Sequence, residues 1–171
     1  MKKKSSLTPL QRVLDGVSIL LCLAAVGYLI AVYSSLPAQI PSHYDAKGNI
    51  TDYNGKSMLI VLAFLMVFII TLPMCVLARI RGLYKVTNTP FRIPKGQEES
   101  LGELTRTLLC AMNAVLTAMF AYILFCSARC ENMTGFGIWL PMILLFVLLV
   151  WYCVRSWQLS KQPKEWEPWD D

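Results

Sequence analysis

His43 is the chain's only histidine, and Asp45 and Asp52 follow it closely. Imidazole and carboxylates are the groups that bind divalent metals and carry protons. A zinc site takes three or four protein ligands at ordered spacing, so His43, Asp45 and Asp52 form a sparse ligand set, weak metal candidates only. An unperturbed histidine titrates near pH ~6.5, which would suit acid sensing; bonding the backbone of its own loop is the plainer role. Nucleophilic catalysis has less to work with. The sequence holds no G-x-S-x-G turn, no H-E-x-x-H helix and no phosphate-cradling glycine loop. The expectation is a non-enzymatic protein with no cofactor.

Two further polar groups interrupt apolar sequence. Asn113 and Thr117 lie one helical turn apart, placed to hydrogen-bond between helices or to meet a substrate. Asp15 sits at the edge of an apolar block with Arg12 nearby and Arg79 or Arg81 within reach. An interfacial ion pair is the expectation; a proton or ion relay would need a partner at mid-membrane depth, and the sequence points to none. Cys22, Cys75, Cys110 and Cys153 read as small hydrophobes within spans. Cys126 and Cys130, four residues apart, would permit a disulfide outside the cytoplasm, although a regular helix holds such a pair in imperfect geometry.

The elements that position these groups are membrane spans. Of the 171 residues, 56% are hydrophobic and 16% charged, and the mean hydropathy is +0.49. Soluble domains carry about 25% charged residues. The apolar excess falls in four blocks, 13–33, 58–78, 107–128 and 136–154. Each is long enough to cross a hydrocarbon core of about 30 Å. The first block exceeds a signal peptide's apolar region and lacks a small-x-small cleavage site, so it is expected to stay as a span. The expected fold is an all-α membrane protein with four transmembrane helices and a structured outer loop between helices one and two, a single integral domain over 1–171.

Thirteen of the sixteen basic residues fall before span one, between spans two and three, or after span four, leaving Lys47, Lys56 and Arg129 on the other side. Basic residues stay cytoplasmic, so both termini are expected there, in a cell membrane. The net charge of +5 is thus a topology signal. With no reading module, nucleic acid is not an expected partner.

Local signals refine this. Thr8-Pro9-Leu10-Gln11 predicts a capped start for helix one, and Ser100-Leu101-Gly102-Glu103 predicts another ahead of span three. Ala24, Gly27 and Ala31 on span one, and Ala111, Ala114, Ala118 and Ala121 on span three, form small-residue stripes expected to pack against other helices. Pro73 should free the carbonyl of Ile69 and kink span two; Pro141 lies near the start of span four and should disturb less. The Thr89-Pro90 region predicts an irregular connection. Trp166 and Trp169 in the acidic tail fit either the membrane interface or docking to a cytoplasmic partner. Asn132-Met133-Thr134 matches a glycosylation sequon, a chance match in a bacterial host.

The loop over 36–56 is the informative one. Pro37 and Pro41 stiffen its first half, Gly48 and Gly55 allow tight turns, and Tyr44 and Tyr53 suit the headgroup level. It is expected to cap the outer helix ends. Its run Leu36-Pro37-x-x-Ile40-Pro41-x-His43-Tyr44, followed by Gly48 and then Tyr53 to Lys56, resembles the N-terminal domain of unknown function of SdpI-like membrane proteins. Where that family carries an acid three residues after the glycine, Thr51 stands here and Asp52 follows. The resemblance covers about residues 14–80. It implies a bacterial plasma-membrane protein of a group that includes immunity proteins against a secreted peptide toxin. On that resemblance the loop residues Pro37, Ile40, Pro41, His43, Tyr44, Gly48, Asp52, Tyr53 and Lys56 would form a structural or ligand-binding motif. The expected partners are the lipid bilayer, a membrane-active peptide at the outer face, and other membrane subunits. The competing expectation is a small transporter or accessory subunit that uses Asn113, Thr117 and the Pro73 kink.

Overall fold

The computed structural model describes residues 7–80, 83, 91–94 and 96–161. Most of the connection around Thr89-Pro90, and the tail with Trp166 and Trp169, lie outside the described residues.

Helix α1 (Pro9–Val32) starts as its sequence dictates. Thr8 Oγ1 accepts the Gln11 N–H while Gln11 Oε1 accepts the Thr8 N–H, so both halves of the capping box are made. A 3₁₀ turn (Tyr33–Ser35) ends it. Two antiparallel strands follow, β1 (Gln39–Tyr44) and β2 (Ile50–Gly55). Then come α2 (Met58–Ala78), α3 (Glu98–Arg129) and α4 (Gly135–Ser160). All four helices are long and apolar enough to cross a membrane. The protein is therefore a multi-pass integral membrane protein, and its described residues are all-α apart from one β-hairpin.

Helix α3 is the hub, packing against α1, α2, α4 and β1, while α4 packs mainly on α3. At 32 residues it is roughly 48 Å long by the α-helical rise, more than a hydrocarbon core requires. It begins at Glu98, earlier than its apolar stretch. Ser100 and Glu103 do not cap it; they lie inside it, and the N-cap Gln97 makes no side-chain capping bond. The acids Glu98 and Glu99 in the first turn suit the positive end of the helix dipole, so the helix runs past the expected start.

Helix α2 accommodates Pro73 by widening. Residues Leu65–Thr71 form a π-helical segment, and the Leu72 N–H reaches back five residues to Val67 O. Proline has no N–H to donate, and the chain spreads that loss over a π segment rather than opening one gap. Pro141 lies inside a continuous α4.

The small-residue stripe expected to pack on α1 does not do so. Ala24, Gly27 and Ala31 are exposed to the lipid side. The face turned inward is Gln11, Asp15, Ser18, Cys22, Ala25 and Leu29. In hydrocarbon it is the polar groups that gain most from leaving the lipid, which sets the rotation of the helix.

The interior is divided along its length. Near the hairpin it is apolar: Leu29, Leu36, Ile40, Leu59, Ala63, Leu124 and Ala128 form one cluster. Cys22, Ala25 and Met66 form a second. Toward the other end it is polar.

Candidate functional site

The hairpin turn is built by Asp45. Its Oδ1 accepts the N–H groups of Lys47 and Asn49 at 2.8 Å each, and its Oδ2 accepts the Asn49 amide at 2.9 Å. Asx turns of this kind let a short polar side chain replace backbone pairing. The Asn49 contacts hold the Asp45 carboxyl below its ordinary value. Gly48 adopts φ +93°, a conformation that favours glycine.

Five contacts fix the hairpin to the bundle. Gly48 O accepts the Met133 N–H at 2.8 Å, and Asn132 Oδ1 accepts the Ile50 N–H at 3.0 Å. Tyr44 OH meets Ser127 Oγ at 3.1 Å, and Trp139 Nε1 donates to Ala46 O at 3.1 Å. Lys56 Nζ donates to Tyr33 O and Leu36 O while lying 5.0 Å from the Tyr33 ring centroid, so it closes the hairpin base over the end of α1. Burial pushes the Tyr44 phenol above its ordinary range, with the Ser127 bond partly opposing.

The motif residues therefore divide by task. Ile40 and Pro41 are buried, and Ile40, 1% exposed, plugs the apolar cluster; burying such a side chain is worth about 1.5–3 kcal/mol. Gly48 and Lys56 fasten the loop. Pro37, His43, Asp52 and Tyr53 are exposed. The structure brings His43 and Asp52 together as a cross-strand pair, with Nδ1 3.7 Å from Oδ2. Asp45 does not join them, since its carboxylate is used in the turn. Ser42 Oγ also lies 3.2 Å from His43 Nδ1. Serine and carboxylate thus meet the same ring nitrogen, whereas a hydrolase relay needs one on each. Among the described residues, no three His, Cys, Asp or Glu side chains gather as a metal site would require.

Beneath the turn a cleft of ≈ 400 Å³ opens between the hairpin, α3 and α4. Ser42, His43, Tyr44, Asp45 and Ala46 line it from above; Met119, Tyr122, Ile123, Met133, Gly137, Ile138, Trp139 and Met142 line it from below. The lower wall was not legible in the sequence. Its residues come from two helices and a turn whose juxtaposition depends on tertiary packing. Tyr122 OH accepts the Thr134 N–H at 2.9 Å, and its ring covers Gly137, where a Cβ would strike it. Three methionines give the wall a soft, adaptable surface. Among the lining residues there is a carboxylate and no lysine or arginine.

A second polar assembly lies inside the bundle. Arg79 Nη1 sits 2.6 Å from Asp15 Oδ2 as a charge pair, its N–H directed to Cys75 O. Cys75 Sγ lies 3.8 Å from Asp15 Oδ1 and takes the Asn113 amide at 3.3 Å. Asn113 also donates to Thr71 O and accepts from Thr117 Oγ1, which meets Thr71 Oγ1 at 2.9 Å. The ion pair expected for Asp15 is made, with Arg79; what the sequence reading missed is the connected file of partners that extends from it to the middle of α3. Spacing carried the signal. Gln11, Asp15 and Ser18 on α1, and Thr71 and Cys75 on α2, recur on one helical face. Cys126 and Cys130 are both free, the first buried and the second exposed, with Cys130 in the left-handed conformation that closes α3.

Neither a curated protein nor a solved structure matches the chain. A family model described as a domain of unknown function, DUF1648, matches residues 20–70, a stretch that holds the whole hairpin and most of the two helices that carry it.

Proposed function

We propose that this membrane protein works at its hairpin end as a non-enzymatic receptor or shield against a membrane-active peptide, the immunity or sensing role of the SdpI-like group. The observation that carries this reading is the fastened hairpin with its Met- and aromatic-lined cleft. An amphipathic peptide offers apolar side chains for that wall and basic groups for Asp45 and for Asp52 on the neighbouring strand. The clustering of basic residues at the opposite end supports a cell-membrane orientation with both termini cytoplasmic. That orientation is tested by maleimide labelling of intact cells in a cysteine-free background, where Lys47→Cys should react and Glu98→Cys should not. The family match at residues 20–70 is consistent with the motif resemblance but names no activity.

The experiment is survival of an expressing strain under membrane-active peptides, with membrane abundance followed by blotting. Asp52→Asn, Tyr53→Ala and Met119→Ala should lose protection at normal abundance. Full protection by all three would refute the reading.

The buried polar file favours a second reading, a transporter or a subunit of a membrane complex. It makes the opposite demand on the same assay: Asn113 and Thr117 essential, and the hairpin tolerant.

A further inference from the structure

At the end of the bundle away from the hairpin, a cavity of ≈ 470 Å³ opens between the start of α1, the first turns of α3 and the last turns of α4. Two opposite charges line it, Glu103 on α3 and Arg155 on α4. Among the described residues they are not paired with each other. Glu103 uses one oxygen on Arg106 Nη1 at 2.9 Å and the other on the Gln11 amide at 3.3 Å, and its side chain remains 38% exposed. Arg155 is exposed and gives one N–H to Gln158 Oε1 at 3.0 Å. A guanidinium has five donors and a carboxylate about four acceptor sites, so both keep capacity toward the cavity. Trp151, also in the wall, supplies a ring face for a cation.

The cavity continues along apolar surface. Helices α1 and α4 both pack on α3 but scarcely on each other, which leaves a groove on α3 between them. Leu104 and Thr107 line the cavity, and Ala111, Ala114 and Ala118 extend their face at helical spacing. These alanines are half-buried or exposed, so this part of the expected stripe is left partly open, while its last member, Ala121, packs against the Cys22, Ala25 and Met66 cluster. Leu159 completes the apolar side of the mouth.

We propose that this cavity binds the headgroup of an aminophospholipid of the phosphatidylethanolamine type. Arg155 takes the phosphate, Glu103 and the Trp151 face take the primary ammonium, and one acyl chain lies along the alanine face of α3. Opposite charges and an aromatic ring in one cavity wall match a zwitterion. Phosphatidylglycerol has no positive charge to offer Glu103, and a choline headgroup cannot donate hydrogen bonds to that carboxylate. The inference is independent of the peptide-binding reading, which concerns the other end of the molecule.

The test is native mass spectrometry of the purified full-length protein exchanged against phosphatidylethanolamine, phosphatidylcholine and phosphatidylglycerol of matched acyl chains, with parallel thermal melts. Phosphoethanolamine and inorganic phosphate serve as water-soluble controls. Phosphatidylethanolamine should be retained about tenfold better than the other two lipids, equivalent to about 1.4 kcal/mol, and the soluble controls should not raise the melting temperature. Glu103→Gln should abolish the preference over phosphatidylcholine. Because Glu103 also holds Arg106, Arg155→Gln gives a test outside the bundle interior, and it should weaken retention of all three lipids. Equal retention of the three lipids, best retention of phosphatidylglycerol, stabilisation by the soluble controls, or unchanged binding in Arg155→Gln would each overturn the assignment.

Discussion

Asp15 on α1 and Arg79, the C-cap of α2, form a charge pair at 2.6 Å in which the carboxylate side chain is 3% exposed and the guanidinium 50%. The pair ties two helices at the end of the molecule opposite the hairpin. It also supplies the buried carboxylate with a positive charge that reaches it from solvent.

Removing Arg79 should leave that carboxylate uncompensated. A fully buried pair loses about 3–5 kcal/mol when one partner is deleted; half-exposed Arg79 should give less, about 2–3 kcal/mol. Replacing both residues, Asp15→Asn with Arg79→Gln, should recover much of the loss. Equilibrium unfolding in mixed micelles reads both values. A double variant no better than Arg79→Gln alone would show that the charge pair is not the source.

The polar file should be a stabilising network in small increments. Thr117 is fully buried and joins Asn113 to Thr71. We expect Thr117→Val to cost about 0.5–1.5 kcal/mol, the range for hydrogen bonds between membrane helices, while Thr117→Ser should cost less. Unfolding midpoints of the two variants decide it, and equal losses would assign the effect to packing of the methyl group.

The membrane architecture was legible because it rests on length and apolar content, which survive any rotation of a helix. Spans expected at 13–33, 58–78, 107–128 and 136–154 fall on α1 to α4, and the Thr8–Gln11 cap is made as written. Rotation was not legible from small residues. Ala24 and Gly27 face outward while Gln11 and Asp15 face inward, because in lipid the burial of polar groups outweighs the close approach of small ones. The strands were hidden for another reason. β2 is exposed along nearly its whole length and so lacks the apolar alternation that marks a strand, while Pro41 sits within β1. Their pairing comes from the Asp45 turn and the bundle beneath. The cleft wall, drawn from Met119, Met133 and Trp139 on separate elements, exists only once α3 and α4 are packed.

Gly48 should be the least replaceable hairpin residue. Its φ of +93° and the Met133 carbonyl against it leave no space for a Cβ. Gly48→Ala should raise hydrogen exchange across 39–55 while exchange within α1 to α4 stays near wild type. Unchanged protection of the hairpin would mean that the remaining contacts, made by Tyr44, Ile50, Lys56 and Ala46, hold it unaided.

Acid should loosen the same turn, with a sign fixed by Asp45. Hydrogen bonds first from the Asn49 side chain and then from backbone N–H groups hold its carboxyl below the ordinary 3.8. A group whose value is lower folded than unfolded contributes fully above the unfolded value and loses that contribution as pH falls through the folded one. The turn should therefore be constant from neutral pH down to about 4 and should open only in stronger acid. Amide shifts of Lys47 and Asn49, whose N–H groups bind Oδ1, report it directly in detergent-solubilised protein. Asp45→Asn should abolish the acid transition while retaining one acceptor for the turn. Loosening that begins between pH 7 and 5 would place the responsible proton elsewhere than on Asp45.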